Sequence, residues 1–293
     1  MKKLQYILLT AVLLVSSAIF AQRESAFNFY RSNMNIINPA YAGIDNKTLV
    51  TSAFRTQWSG VEDAPETQTV SFGTPLGKNL GMGVSLVNDR TFIEKQTFFG
   101  IDFSYKLKMN ETTNLYLGLK AGGNSYNVNT AGLKTYNVIF DPSLASVSDF
   151  NPNVGVGALL KKDKWYVSFS IPRLLSTNKA QNDAGIAVVD LDRPQMYLSG
   201  GYNIDLNASF TLKPSVMVRY VNGAPISADI NAMLQIEKNF EIGGMYRTDK
   251  AYAAMGMITI SKRLLVGYAY EMSTRPTLAM AKNTKEIILQ FKF

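Results

Sequence analysis

From residue 48 to the carboxyl end the chain alternates apolar and polar residues through fourteen successive segments. After residue 21 it holds no uninterrupted apolar run of ~18 residues, the length that a membrane-spanning helix needs. Period two is the signature of a strand with one apolar and one polar face. The fourth segment shows it best: Phe99, Ile101, Phe103, Tyr105 and Leu107 alternate with Gly100, Asp102, Ser104 and Lys106. The last segment closes on Ile287, Leu289, Phe291 and a terminal Phe293.

What such strands face depends on where the chain is sent. Lys2 and Lys3 precede an apolar run over residues 6–15, then Ser16, Ser17 and Ala18, with a cut expected after Ala21. This reads as a signal peptide over residues 1–21, and with no cysteine after the apolar run a lipid anchor is excluded. An exported chain that crosses a membrane without helices must do so as a closed barrel, because open sheet edges cannot sit in hydrocarbon. The expected fold is therefore all-β, an antiparallel transmembrane β-barrel of about 14 strands over residues 48–293. An N-terminal plug or periplasmic segment is expected over residues 22–47, and the location is a bacterial outer membrane with both termini periplasmic.

The connections carry an independent signal. The long links, residues 127–149, 172–193 and 272–283, all fall at odd-numbered junctions, while the even junctions are tight turns. Membrane barrels have short turns on one side and longer loops on the other. A soluble β-sandwich has no reason to keep this parity, and it leaves the terminal phenylalanine unexplained. Hydrophobic residues make up 46% of the chain at a mean hydropathy of −0.02, as alternation produces. The 15 Tyr, 16 Phe and 2 Trp can supply interfacial aromatic girdles. Pro214 falls within a segment and removes a ladder donor, so a bulge is expected there.

Cys and His are both absent. Without histidine the Ser-His-Asp constellations of barrel hydrolases cannot be built, and zinc or copper sites of N/S type are unavailable, so no enzyme, metal or cofactor is expected. Removing Lys2 and Lys3 with the signal leaves 28 basic against 22 acidic residues. The basic residues are scattered, with Lys161, Lys162 and Lys164 the one tight group, and nucleic-acid binding finds no support. On the expected register the lumen face carries Arg55, Asp102, Lys106, Lys120, Lys213, Arg219, Asp229, Glu241, Arg247 and Glu271. With both signs together, these side chains either brace one another or hold something inside.

Ahead of the first strand, Phe27, Tyr30, Met34 and Ile37 stand at roughly helical spacing, which predicts a short amphipathic helix stopped by Pro39 and a turn at Gly43. A fourteen-stranded barrel is wider than the side-chain-filled eight-stranded kind, so this segment is a candidate plug.

The run Asn38-Pro39-Ala40-Tyr41-Ala42-Gly43 is followed by Arg55-Thr56-Gln57-Trp58-Ser59-Gly60, then Ala64-Pro65-Glu66-Thr67, with Ser71 and Pro75 beyond. Together these motifs resemble the opening of the PorP/SprF family, outer-membrane proteins associated with the type IX secretion system and, in some members, with gliding motility. The similarity covers the mature chain. Glu62-Asp63 stand where a glycine is usual, and the closing strand lacks a histidine often found there.

The resemblance implies a non-enzymatic barrel that helps a partner, an adhesin-like surface protein exported by the type IX system, reach or stay on the cell surface. Other members imply a second kind of partner, a periplasmic or peptidoglycan-linked component. The alternative is a passive porin or small-solute channel. Asn38, Pro39, Ala40, Gly43, Arg55, Gln57, Trp58, Gly60, Pro65 and Thr67 are the motif residues, with Arg55 and Gln57 the expected tether of the N-terminal segment. Pro39, Gly43 and Gly60 also suit plain turn roles, and Trp58 a membrane-interface role. The client is expected at a rim made by the long loops, near Tyr126, Tyr136, Phe140 and Phe150.

Overall fold

The computed structural model describes residues 26–130, 146–178, 191–274 and 283–293. The signal-peptide reading, the first residues of the plug range, Tyr136, Phe140 and the middles of the three long links lie outside the described residues.

Fourteen strands make the wall. The first seven are β1 (Leu49–Gln57), β2 (Glu66–Pro75), β3 (Leu80–Thr91), β4 (Glu94–Lys108), β5 (Thr113–Val128), β6 (Val147–Lys162) and β7 (Trp165–Ile171). The second seven are β8 (Gln195–Tyr202), β9 (Phe210–Val221), β10 (Ser227–Ile236), β11 (Phe240–Arg247), β12 (Ala251–Thr259), β13 (Leu264–Ser273) and β14 (Asn283–Lys292). Each pairs antiparallel with its sequence neighbours, and β1 pairs with β14 from Leu49↔Lys292 to Gln57↔Thr284, so the sheet closes. Closure leaves no strand edge to be desolvated.

Alternation places the side chains as expected. Phe99, Ile101, Phe103 and Tyr105 face out, while Asp102 and Ser104 between them are buried within the barrel. Outward aromatics gather near both strand ends: Tyr202, Phe210, Phe240 and Phe293 at the short-turn end, and Tyr220, Tyr246 and Tyr252 at the long-loop end. Trp165 is paired with Tyr202 across β7 and β8. An arginine in the middle of the apolar band must be desolvated against lipid. Ile101→Arg is therefore expected to destabilise the barrel by about 2–4 kcal/mol, read from its unfolding midpoint in lipid vesicles.

Three details differ from the sequence reading. Strands β4, β5 and β6 run further toward the long-loop end than the alternation indicated, so Asn127 and Asp149 are ladder residues. Strand β1 ends at Gln57, and Trp58 turns away with φ 51°. At Pro214 no residue is inserted: the β9–β10 register runs through Pro214↔Ala232, and the β8–β9 ladder simply lapses between Gly201↔Ser215 and Ile204↔Leu212. A gap in one ladder meets the missing N–H without a bulge.

Candidate functional site

The N-terminal segment lies inside the barrel against its inner wall. In place of one helix the chain makes single turns, at Tyr30–Ser32, Met34–Ile37, Pro39–Tyr41 and Ile44–Asn46. Asparagine breaks the run. Asn33 (φ −130°, ψ 35°) and Asn38 (φ −136°, ψ 112°) leave the helical region, and both side chains bond outward. Asn33 Nδ2 donates to Thr69 Oγ1 at 3.1 Å, and Ser71 Oγ donates to Asn33 Oδ1 at 3.0 Å. Asn38 Oδ1 accepts from the Ala40 N–H at 2.9 Å, while its Nδ2 donates to the carbonyls of Ala158 and Phe169, each at 3.2 Å. Such side-chain bonds compete with helix, and in a closed lumen the wall supplies partners that water would otherwise provide.

A ladder of buried charges grips the start of this plug. Arg219 pairs with Asp229 at 2.9 Å, Asp229 with Arg247 at 2.8 Å, and Arg247 with Glu271 at 3.0 Å. Arg55 then bridges Glu271 at 3.2 Å and Glu286 at 3.4 Å. Glu286 ends the ladder by accepting the backbone N–H groups of Asn28, at 2.8 Å, and Phe29, at 3.2 Å. Three arginines balance three carboxylates across six strands, the condition under which charge can be kept out of water.

Arg55, an expected tether, thus meets Glu286, the carboxylate that accepts the Asn28 and Phe29 N–H groups. Parity alone places Glu286 on the inner face, since its neighbours Lys285 and Ile287 face out. Elsewhere Lys120 pairs with Asp102 at 3.2 Å and donates to the Ile36 carbonyl at 3.2 Å. Arg31 reaches the Lys213 carbonyl and Asn203 Oδ1, the Tyr30 hydroxyl bonds Ser215 Oγ at 2.9 Å, and Gln290 Nε2 donates to the Ser32 carbonyl at 3.0 Å.

The Asn38-to-Gly43 motif lies directly on bare strand backbone. A Cβ on Gly118 of β5 would come within 2.2 Å of the Ala40 nitrogen, one on Gly157 of β6 within 2.0 Å of Asn38 Oδ1, and one on Gly81 of β3 within 2.0 Å of the Ala42 carbonyl oxygen. These lumen-facing glycines form a floor that only a side-chain-free strand provides. Pro39, Ala40 and Ala42 are buried on it, and Ser104 Oγ donates to the Ala42 carbonyl. Gly43 adopts φ 66° against the Thr74 carbonyl, which combines a left-handed backbone with a close approach.

The second motif braces β1, β2 and the loop that joins them. Arg55 is buried; Gln57 is half-buried, and its backbone N–H donates to the Pro65 carbonyl at 2.9 Å. Trp58 and Gly60 (φ 98°) set the turn after β1, Pro65 is buried, and Thr67 Oγ1 donates to Asp89 at 2.8 Å. Asp63, near the usual glycine, takes φ 53°, so the loop keeps the left-handed residue that glycine would supply.

The inner wall also carries an apolar area that alternation did not foreshadow. Phe29 packs on Met233, Met245, Met255, Ala253, Ala269 and Ile288, while Tyr30, Met34 and Ile37 pack on Tyr197 and Met217. A plug buries an apolar face only if the lumen offers one, so inward positions are not uniformly polar.

Of the two described rim residues, Tyr126 is buried toward the lumen, whereas Phe150 faces out and stacks on Phe99 with centroids 6.0 Å apart. At the short-turn end the exposed pair Lys164–Asp205, at 3.0 Å, raises the ammonium's pKa and lowers the carboxyl's through their mutual hydrogen bond. Among the described residues no cluster of acidic side chains is arranged to hold a metal ion.

Comparison with known proteins bears on both fold and family. The outer membrane protein Omp33 of Acinetobacter baumannii superimposes with a TM-score of 0.52 at 9% identity, over 86% of this chain and 100% of that one. The CymD monoaromatic hydrocarbon channel aligns over 88% and 91% of the two chains at 13% identity, with a TM-score of 0.48. No curated protein sequence matches the chain. The sequence model of the type IX secretion system membrane protein PorP/SprF matches residues 19–291, nearly the whole chain, and this outer-membrane β-barrel belongs to that family.

Proposed function

We propose that the protein is a sealed outer-membrane anchor that holds a type IX-exported, adhesin-like protein at the cell surface, with its long-loop end outward and its short-turn end and C-terminus facing the periplasm. The observation that carries this reading is the plug. Residues 27–46 are bonded to β2, β4, β5, β6, β7, β9 and β14, and the segment rests on a wall shaped to receive it. A solute channel needs an open lumen, whereas an anchor needs a rigid cylinder with a free rim. Short turns toward the periplasm are the usual orientation of bacterial barrels and leave the long loops as the contact surface.

Two measurements test the proposal together. In planar bilayers the purified barrel is expected to pass little current, and affinity purification from native outer membranes is expected to bring down a large secreted surface protein. Steady porin-like conductance without such a companion would replace the anchor reading with that of a passive channel.

A further inference from the structure

Between the plug and the β10–β13 wall lies a chamber of about 300 Å³. Lys47, Leu49 and Leu265 line it, and they stand where strands begin at the short-turn end. Methionine dominates its apolar side, with Met233 on β10, Met255 and Met257 on β12 and Met34 on the plug. Flexible thioethers adapt to varied side chains, which is why methionine recurs on surfaces that receive peptides.

Two further features give the chamber chemical character. Its cations outnumber its anions: Arg31, Lys47 and Lys213 line it with Glu241, and Glu241 is taken by Lys213 at 2.6 Å. Among the described residues Arg31 donates to neutral oxygens, the Lys213 carbonyl and Asn203 Oδ1, and lies over the Tyr166 ring, while Lys47 is exposed. The chamber also presents acceptors without donors. Asn231 is 4% exposed, its Nδ2 reaches the Met255 sulfur at 3.6 Å, and its Oδ1 accepts no hydrogen bond among the described residues. Asn35 Oδ1, also lining the chamber, is in the same position. A buried acceptor left unmatched costs free energy, so an occupant bringing N–H donors is favoured.

We infer that this chamber is a docking site for the tip of an acidic, apolar polypeptide segment of a partner protein. Methionines receive the apolar side chains, Arg31 and Lys47 receive the carboxylates, and Asn231 and Asn35 accept backbone N–H groups. A fatty acid would satisfy the first two features but brings no N–H donor. The inference rests on the proposed orientation only in placing the partner in the periplasm.

Titration calorimetry on the full-length barrel in detergent tests it with the hexapeptide Asp-Leu-Asp-Leu-Asp-Leu. The expected result is saturable binding, roughly tenfold weaker when lysine replaces aspartate or serine replaces leucine, with laurate failing to compete. Met257→Trp, which fills the chamber, and Lys47→Glu, a surface change that spares folding, should each weaken binding roughly tenfold. No binding to the wild-type barrel, equal binding of the lysine peptide, displacement by laurate, or unchanged affinity in Lys47→Glu would overturn the site. Any of these would leave the anchor reading intact, because conductance and client copurification are judged separately.

Discussion

Glu286→Ala is expected to unseat the plug. The substitution removes the acceptor of the Asn28 and Phe29 N–H groups and leaves Arg55 with Glu271 as its remaining carboxylate. Arg55 and Glu286 are both nearly inaccessible to water, and deleting one partner of a buried pair costs up to about 3–5 kcal/mol because the buried ladder is left with three arginines against two carboxylates. The strand ladders are untouched, so the loss should fall on the plug. Trypsin should then cut after Arg31, and ion conductance should appear in bilayers. Glu286→Gln keeps an acceptor but loses the charge and should give a smaller effect. A variant as protease-resistant and as silent as the parent would show that the ladder does not hold the plug.

Gly118→Val is the second substitution with a large expected effect. Its first side-chain atom would lie 2.2 Å from the Ala40 nitrogen and 2.4 Å from the Pro39 carbonyl carbon, and backbone on both sides cannot yield as a side-chain tip can. Overpacking costs about 1–3 kcal/mol even where side chains can shift, so the motif should lift from its floor. Gly200→Ala is the matched control. Its nearest contact would be 3.4 Å, from the Tyr166 carbonyl oxygen, and the change should stay near neutral. Heat-modifiable migration on gels would show that each barrel assembles, and proteolysis of residues 26–47 would report the plug. Equal protection of the plug in both variants would mean that glycine at position 118 is not needed for seating it.

Much of this architecture was legible in the chain itself. Strand number, facing and loop parity follow from local alternation, because a residue's side on a strand depends only on whether its number is odd or even. The same rule put Arg55, Asp102, Lys120, Asp229, Arg247 and Glu271 in the lumen, where the structure finds them. The same rule places Glu286 on that face, where it is fully buried.

Other features were closed to sequence reading because they depend on what lies across the lumen. The helical spacing of Phe27, Tyr30, Met34 and Ile37 gave way to single turns because Thr69, Ser71, Ala158 and Phe169, distant in sequence, offer bonds to Asn33 and Asn38. Inward Met233, Met245 and Met255 depart from alternation, and Phe29 of the N-terminal segment packs against them. Which carboxylate meets which arginine was set by the stagger of strands around the closed sheet, a long-range register that no local pattern encodes. The chain alone determined a cylinder with a greasy exterior and a polar bias within. Tertiary structure decided that the N-terminal segment lies within that cylinder, because that outcome depends on contacts between segments up to 258 residues apart.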